Sequence, residues 1–107
     1  MVDIEKLKLE IIEALKPLKP DKIILFDSYA YGTLNKDSDI DLFLIKNDLS
    51  LDEIDRYELK ARKKIRNLIF QYNIGFDILS ASLDYLKQRD DYFYKVDILQ
   101  NGKVIYE

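Results

Sequence analysis

The chain has 107 residues, 48% of them hydrophobic and 35% charged, with a formal net charge of −3. That length and composition allow one folded domain over residues 1–107, a sheet with a few helices around a single core, and exclude a disordered chain or a separate substrate-binding domain. With no cysteine and no histidine, disulfides, thiolate metal sites and imidazole bases are excluded, and the acidic balance leaves no footprint for general nucleic-acid binding.

In MVDIEKLKLEIIEALKPLKP, the residues Ile4, Leu7, Ile11, Ile12, Leu15 and Leu18 recur at helical spacing and Pro17 and Pro20 punctuate the end. This predicts a helix over about residues 2–16 whose apolar stripe covers a sheet. Charges interrupt the stretch throughout, so it holds no signal-peptide core or membrane span; a cytoplasmic protein with no membrane partner is expected. KIILF (Lys22 to Phe26) and DIDLFLI (Asp39 to Ile45) read as two adjacent strands joined by a polar, Gly-containing turn. Ser50 followed by Glu53 has the form of a capping box, and Ile54, Tyr57, Ala61, Ile65, Leu68, Ile69 and Tyr72 then repeat as a long helix over about 51–71. Its other side carries Lys60, Arg62, Lys63, Lys64 and Arg66, a solvated face or an attraction for phosphate or an acidic partner. IGFDILS (Ile74 to Ser80) is a third strand entered through Gly75. Short helices over about 82–88 and 91–100 follow, and KVIYE (Lys103 to Glu107) makes a final edge strand after the Asn101-Gly102 turn. The order predicts an α+β fold, an α/β sandwich with a small mixed sheet packed against helices.

Side chains alternate along a strand, so Asp39 and Asp41 point the same way with a Cα spacing of roughly 7 Å, while Ile40 and Leu42 enter the other layer. Two close carboxylates repel unless hydrogen bonds or a cation offset the charge. With only oxygen ligands on offer, the cation is hard: Mg²⁺ first, Mn²⁺ as the alternative. Asp77 likewise interrupts an apolar strand between Phe76 and Ile78, and a third carboxylate from an adjacent strand would complete a two-metal site. Ser28 to Gly32 offers a hydroxyl, backbone amides and a tight turn to a phosphate. Taken singly, each has a plainer reading: capping aspartates in a turn, an aspartate receiving backbone amides, and an ordinary loop.

Taken together, DSYAYGTLNKDSDIDLFLI closely resembles the Gly-Ser-x-Ala-x-Gly … Ser-Asp-Ile-Asp-Leu signature of the minimal nucleotidyltransferases, within the polymerase-β-like nucleotidyltransferase superfamily. Ser28, Ala30, Gly32, Ser38, Asp39, Ile40, Asp41 and Leu42 fall in register with it. The resemblance implies a nucleotidyltransferase fold in which Asp39, Asp41 and Asp77 are catalytic and hold two Mg²⁺ ions. Ser28, Gly32 and Ser38 are then nucleotide-binding, and AMP passes from ATP, or another nucleoside triphosphate gives its nucleotide, to a hydroxyl with release of pyrophosphate. It further implies an antitoxin role in a type VII-like toxin–antitoxin pair, with a tyrosine of a HEPN-type toxin as acceptor and homo- or hetero-oligomers as assemblies. Neutralisation of the toxin by binding alone is the alternative, and modification of a small molecule is disfavoured by the lack of a second domain. The chain departs from the pattern at Asp27, where the family has glycine. Aspartate tolerates the left-handed backbone region, but a carboxylate about 6 Å from a phosphate charge repels it by roughly 3 kcal/mol at an effective dielectric of 20. Tyr85, Tyr92, Phe93 and Tyr94 read either as a partner face or as filling for the core.

Overall fold

Residues 4–26, 39–89 and 102–107 are described by a computed structural model of the chain. Helix α1 (Ile4–Leu15) forms where Leu7, Ile11 and Leu15 recur every fourth residue, and all three are fully buried. A 3₁₀ turn with Pro17 at its centre, Lys16–Leu18, closes the helix. Lys19 then takes a left-handed φ of 55° and returns its N–H to the Lys16 carbonyl at 2.9 Å, a geometry that ends a helix by satisfying one of its last carbonyls.

Strands β1 (Lys22–Phe26) and β2 (Ile40–Ile45) pair antiparallel, from Lys22 opposite Ile45 to Phe26 opposite Asp41. After β2 the capping box forms as expected, with the Ser50 N–H donating to Glu53 Oε1 at 3.2 Å. Leu51–Glu53 are a 3₁₀ turn, and helix α2 proper runs Ile54–Tyr72. Strand β3 (Phe76–Ala81) lies parallel to β2. A parallel neighbour needs a crossover of a dozen or more residues, which α2 supplies. Ser82 caps the short helix α3 (Leu83–Gln88), its hydroxyl accepting from the Tyr85 N–H at 3.1 Å. Strand β4 (Lys103–Tyr106) pairs antiparallel with the other side of β1, giving the order β3-β2-β1-β4. The result is the expected α+β fold with a small mixed sheet. The helix expected over 91–100 lies outside the described residues.

One face of the sheet carries Ile23, Leu25, Ile40, Leu42, Leu44 and Ile78, packed under Leu7, Ile11 and Leu15 of α1 and Ala61, Ile65 and Leu68 of α2. The opposite face holds a smaller cluster, Ile24, Phe26, Phe43, Ile45 and Ala81 with Leu86 of α3. The alternation of the strands thus divides two apolar layers of unequal size, and the lighter layer has room for charge at its end.

Polar contacts also tie α2 into the larger layer. Ser80 of β3 donates to Glu58 Oε2 at 2.8 Å, both residues being buried, and Arg62 approaches the other carboxylate oxygen at 3.8 Å. Ser80→Ala is expected to lower unfolding stability by about 1–2 kcal/mol in urea melts, because the buried carboxylate loses a donor. Tyr57 is buried and donates its hydroxyl to the Leu18 carbonyl at 3.3 Å. Burial first, then the negative charge of Asp21 and Asp48, pushes its pKa up to about 12. An unfolded tyrosine ionises near pH 10, so this contribution to stability is whole below pH 10 and is lost as pH rises toward 12. The thermal midpoint of the wild type should therefore fall across that window more steeply than that of Tyr57→Phe.

Candidate active site

The site begins with apolar neighbours. Ile40 and Leu42 are completely buried beneath the helices, which turns Asp41 to the opposite face, alongside Phe43 and Ile45. The same alternation in β3 sends Ile78 into the larger core and Asp77 outward. Parallel pairing then sets Asp41 directly beside Asp77, while antiparallel pairing sets Phe26 on its other side. Phe26, Asp41 and Asp77 form one row across three strands, at the end of the sheet where β1 stops and β2 and β3 start. Asp39 immediately precedes β2; it and Asp77 are exposed, and Asp41 is half-buried. Residues 27–38 connect Phe26 to Asp39. Asp27, Ser28, Gly32 and Ser38 lie outside the described residues.

Gly75, in the motif reading only the entrance to a strand, lies against Asp39. Its carbonyl accepts the Ile40 N–H at 2.9 Å, which stitches the start of β2 to the approach of β3. A Cβ at Gly75 would stand 2.5 Å from Oδ1 of Asp39 and 3.0 Å from its carboxyl carbon, closer than nonbonded atoms allow. The Asp39 carboxylate lies over the bare Cα, and any side chain at residue 75 would evict it. The signal in the sequence was a lone glycine two residues before the aspartate of an otherwise apolar strand.

The backbone gathers three carboxylates at one end of one sheet face, and the donor set is entirely oxygen, which suits a hard divalent cation. Side by side is not yet a cage: among the described residues no three acidic side chains stand close enough together to hold one ion. Rotation of side chains on this backbone would have to close the set, a change among staggered rotamers. Carboxylates brought to 4 Å would repel by about 4 kcal/mol at an effective dielectric of 20, a cost that a bound cation offsets. The residues therefore fit a metal in kind and in backbone position.

The other candidates are more ordinary. Tyr85 is half-buried against the smaller core, and the Arg89 guanidinium lies 5.5 Å from its ring and donates to its hydroxyl at 3.0 Å. It completes the core under α3; Tyr92, Phe93 and Tyr94 are outside the described residues. Lys60, Arg62, Lys63, Lys64 and Arg66 are all exposed on α2. Among the described residues no helix is long and apolar enough to cross a membrane.

A family model described as a nucleotidyltransferase domain matches residues 4–103. Proteins of Methanocaldococcus jannaschii that carry the provisional name protein adenylyltransferase are similar to this chain. One is 32% identical over 89 residues, which is 74% of this chain and 83% of that protein. Another is 30% identical over 105 residues, 95% of this chain and 97% of that protein. Among solved structures, a toxin–antitoxin complex with AMP-PNP matches with a TM-score of 0.61 at 23% identity, covering 92% of this chain and 72% of its own. A mutant MntA–HpeT toxin–antitoxin complex matches with a TM-score of 0.58 at 19% identity, covering 92% of this chain and 71% of its own. At these identities the structural likeness is one of fold.

Proposed function

This chain belongs to the nucleotidyltransferase domain family, and from that premise we propose that it is a Mg²⁺-dependent protein adenylyltransferase. It moves AMP from ATP to a hydroxyl, a tyrosine's, of a cognate HEPN-type toxin, and so serves as the antitoxin of the pair in the cytoplasm. The observation that carries the reading is the register of Asp41 beside Asp77, with Asp39 immediately before β2. Two further findings support it. The similar Methanocaldococcus jannaschii proteins bear the provisional name protein adenylyltransferase, and the MntA–HpeT structure is of a form with two aspartates, two positions apart, both replaced by glutamate.

In the proposed reaction the acceptor oxygen attacks the α-phosphorus of ATP, the bond from that phosphorus to the bridging oxygen breaks, and pyrophosphate leaves with the negative charge. Asp39, Asp41 and Asp77 would hold the Mg²⁺ ions, which when bound lower the pKa of the attacking hydroxyl and stabilise the leaving oxygens. Asp39 and Asp41 face the triphosphate, and Asp77, on the outer strand, faces the acceptor. Ser28, Gly32 and Ser38 are the residues that would supply hydroxyl and backbone N–H donors to the phosphates. The proton of the attacking hydroxyl would pass to a site carboxylate or to water, so the absence of histidine does not bar the reaction.

Asp27 favours a second reading, in which the fold neutralises the toxin by binding and transfers nothing. Incubation with α-labelled ATP, Mg²⁺ and the product of the neighbouring gene separates the two. Label on the partner that disappears in Asp39→Asn/Asp41→Asn supports transfer, whereas a tight complex without label supports binding alone. Asp27→Gly should tighten Mg-ATP binding by up to about a hundredfold if the carboxylate repels a phosphate; equal affinity of the two forms by calorimetry would show that Asp27 turns away.

A further inference from the structure

At the end of the sheet opposite the carboxylates, a cavity of about 290 Å³ opens between Pro17 and Leu18, the segment after β2, and the first turns of α2. Lys46 marks its place: it lies five residues on from Asp41 along an extended strand, roughly 16 Å away at 3.3 Å per residue. Leu18, Leu49 and Tyr57 give the cavity an apolar wall, and its charged groups are Lys46, Arg56 and Lys60 against Asp48 and Glu53.

Both acids are engaged. Asp48 pairs with the Lys46 ammonium at 3.0 Å. Glu53 Oε1 accepts the N–H of Ser50 at 3.2 Å and its hydroxyl at 2.5 Å. Arg56 and Lys60 are then left one helical turn apart, and neither makes an ion pair within 4.0 Å among the described residues. Arg56 feels Asp52 and Glu53 only as weak, more distant charges. Like charges at this spacing destabilise a helix, and an anion seated between them removes the repulsion. The guanidinium offers a planar fork that matches a phosphate, the ammonium a movable point charge. A volume near 300 Å³ is at the small end for ligand pockets, a size that suits a small organic phosphate.

We propose that this cavity is a second ligand site, separate from the carboxylate row, that binds a small organic phosphate with its phosphate between Arg56 and Lys60 and its apolar part against Leu18, Leu49 and Tyr57. The site stands whether or not the chain transfers AMP. The test is a ¹H–¹⁵N NMR titration of the full chain with AMP, with pyrophosphate and with inorganic phosphate, repeated in Asp39→Asn/Asp41→Asn and in Arg56→Ala/Lys60→Ala. Saturable shifts at Leu49, Arg56 and Lys60 are expected with AMP at a Kd below about 1 mM, unchanged in the aspartate variant and weakened at least about tenfold in the cation variant. Both cations are exposed, so their removal leaves the spectrum of a folded protein. The proposal is overturned if AMP shifts only residues near Asp41, if the aspartate variant abolishes the response, or if the cation variant binds as well as the wild type. Inorganic phosphate binding as tightly as AMP would remove the apolar wall from the recognition.

Discussion

Asparagine in place of Asp41 is expected to lower AMP transfer about a thousandfold, the scale on which losing a charged group that acts in the transition state is felt. The side chain keeps its shape and loses its charge. Its backbone position is set by Ile40 and Leu42, both at 0% exposure, and neither is touched by the change. The variant should therefore unfold at the same midpoint as the wild type, so that lost activity is not lost fold. Single-turnover transfer from labelled ATP, with calorimetry as the control for folding, makes the measurement. Because Asp39 and Asp41 serve the same ions in the proposed reaction, adding Asp39→Asn should cost much less than a second thousandfold, as groups acting as a unit are strongly non-additive. An Asp41→Asn protein retaining a tenth of the wild-type rate would remove Asp41 from that role.

Gly75→Ala should reduce transfer about a hundredfold, the effect of misplacing a reacting group by about 1 Å. The new methyl would sit 2.5 Å from Oδ1 of Asp39, and the carboxylate must swing off. Stability should change little, because what yields is the end of an exposed side chain rather than packed backbone. A double-mutant cycle isolates the cause. In an Asp39→Asn background, where the charge is already gone, Gly75→Ala should add little further loss. An undiminished effect there would place the role of Gly75 in the strand contact to Ile40 instead of in the seat for Asp39.

How much of this was legible before folding depends on the range of the interaction. The expected helix began at the Ser50–Glu53 capping box, yet its first three residues wind as a 3₁₀ turn. Local hydrogen bonds identify where a helix begins better than which helical form its first turn takes. Asp77 was picked out by its apolar flanks, but the same reasoning passed over the buried Glu58, whose partner Ser80 is 22 residues away and on another element. A charged residue in a helix gives no sign by itself that a hydroxyl from a sheet awaits it.

The amino-acid sequence by itself determined the elements and the faces: spacing of every third or fourth residue made α1 and α2, and alternation in IDLFLI and FDILSA turned Asp41 and Asp77 away from the larger core. Only the tertiary structure decided that β3 lies next to β2, that Asp41 stands opposite Asp77, and that Gly75 makes room for Asp39. The reason is that a strand pair joined through the 19-residue helix α2 can slide by two residues without moving any side chain to the wrong face. Periodicity is blind to such a slide, and it is non-local packing against α1 and α2 that selects the one register bringing the carboxylates together.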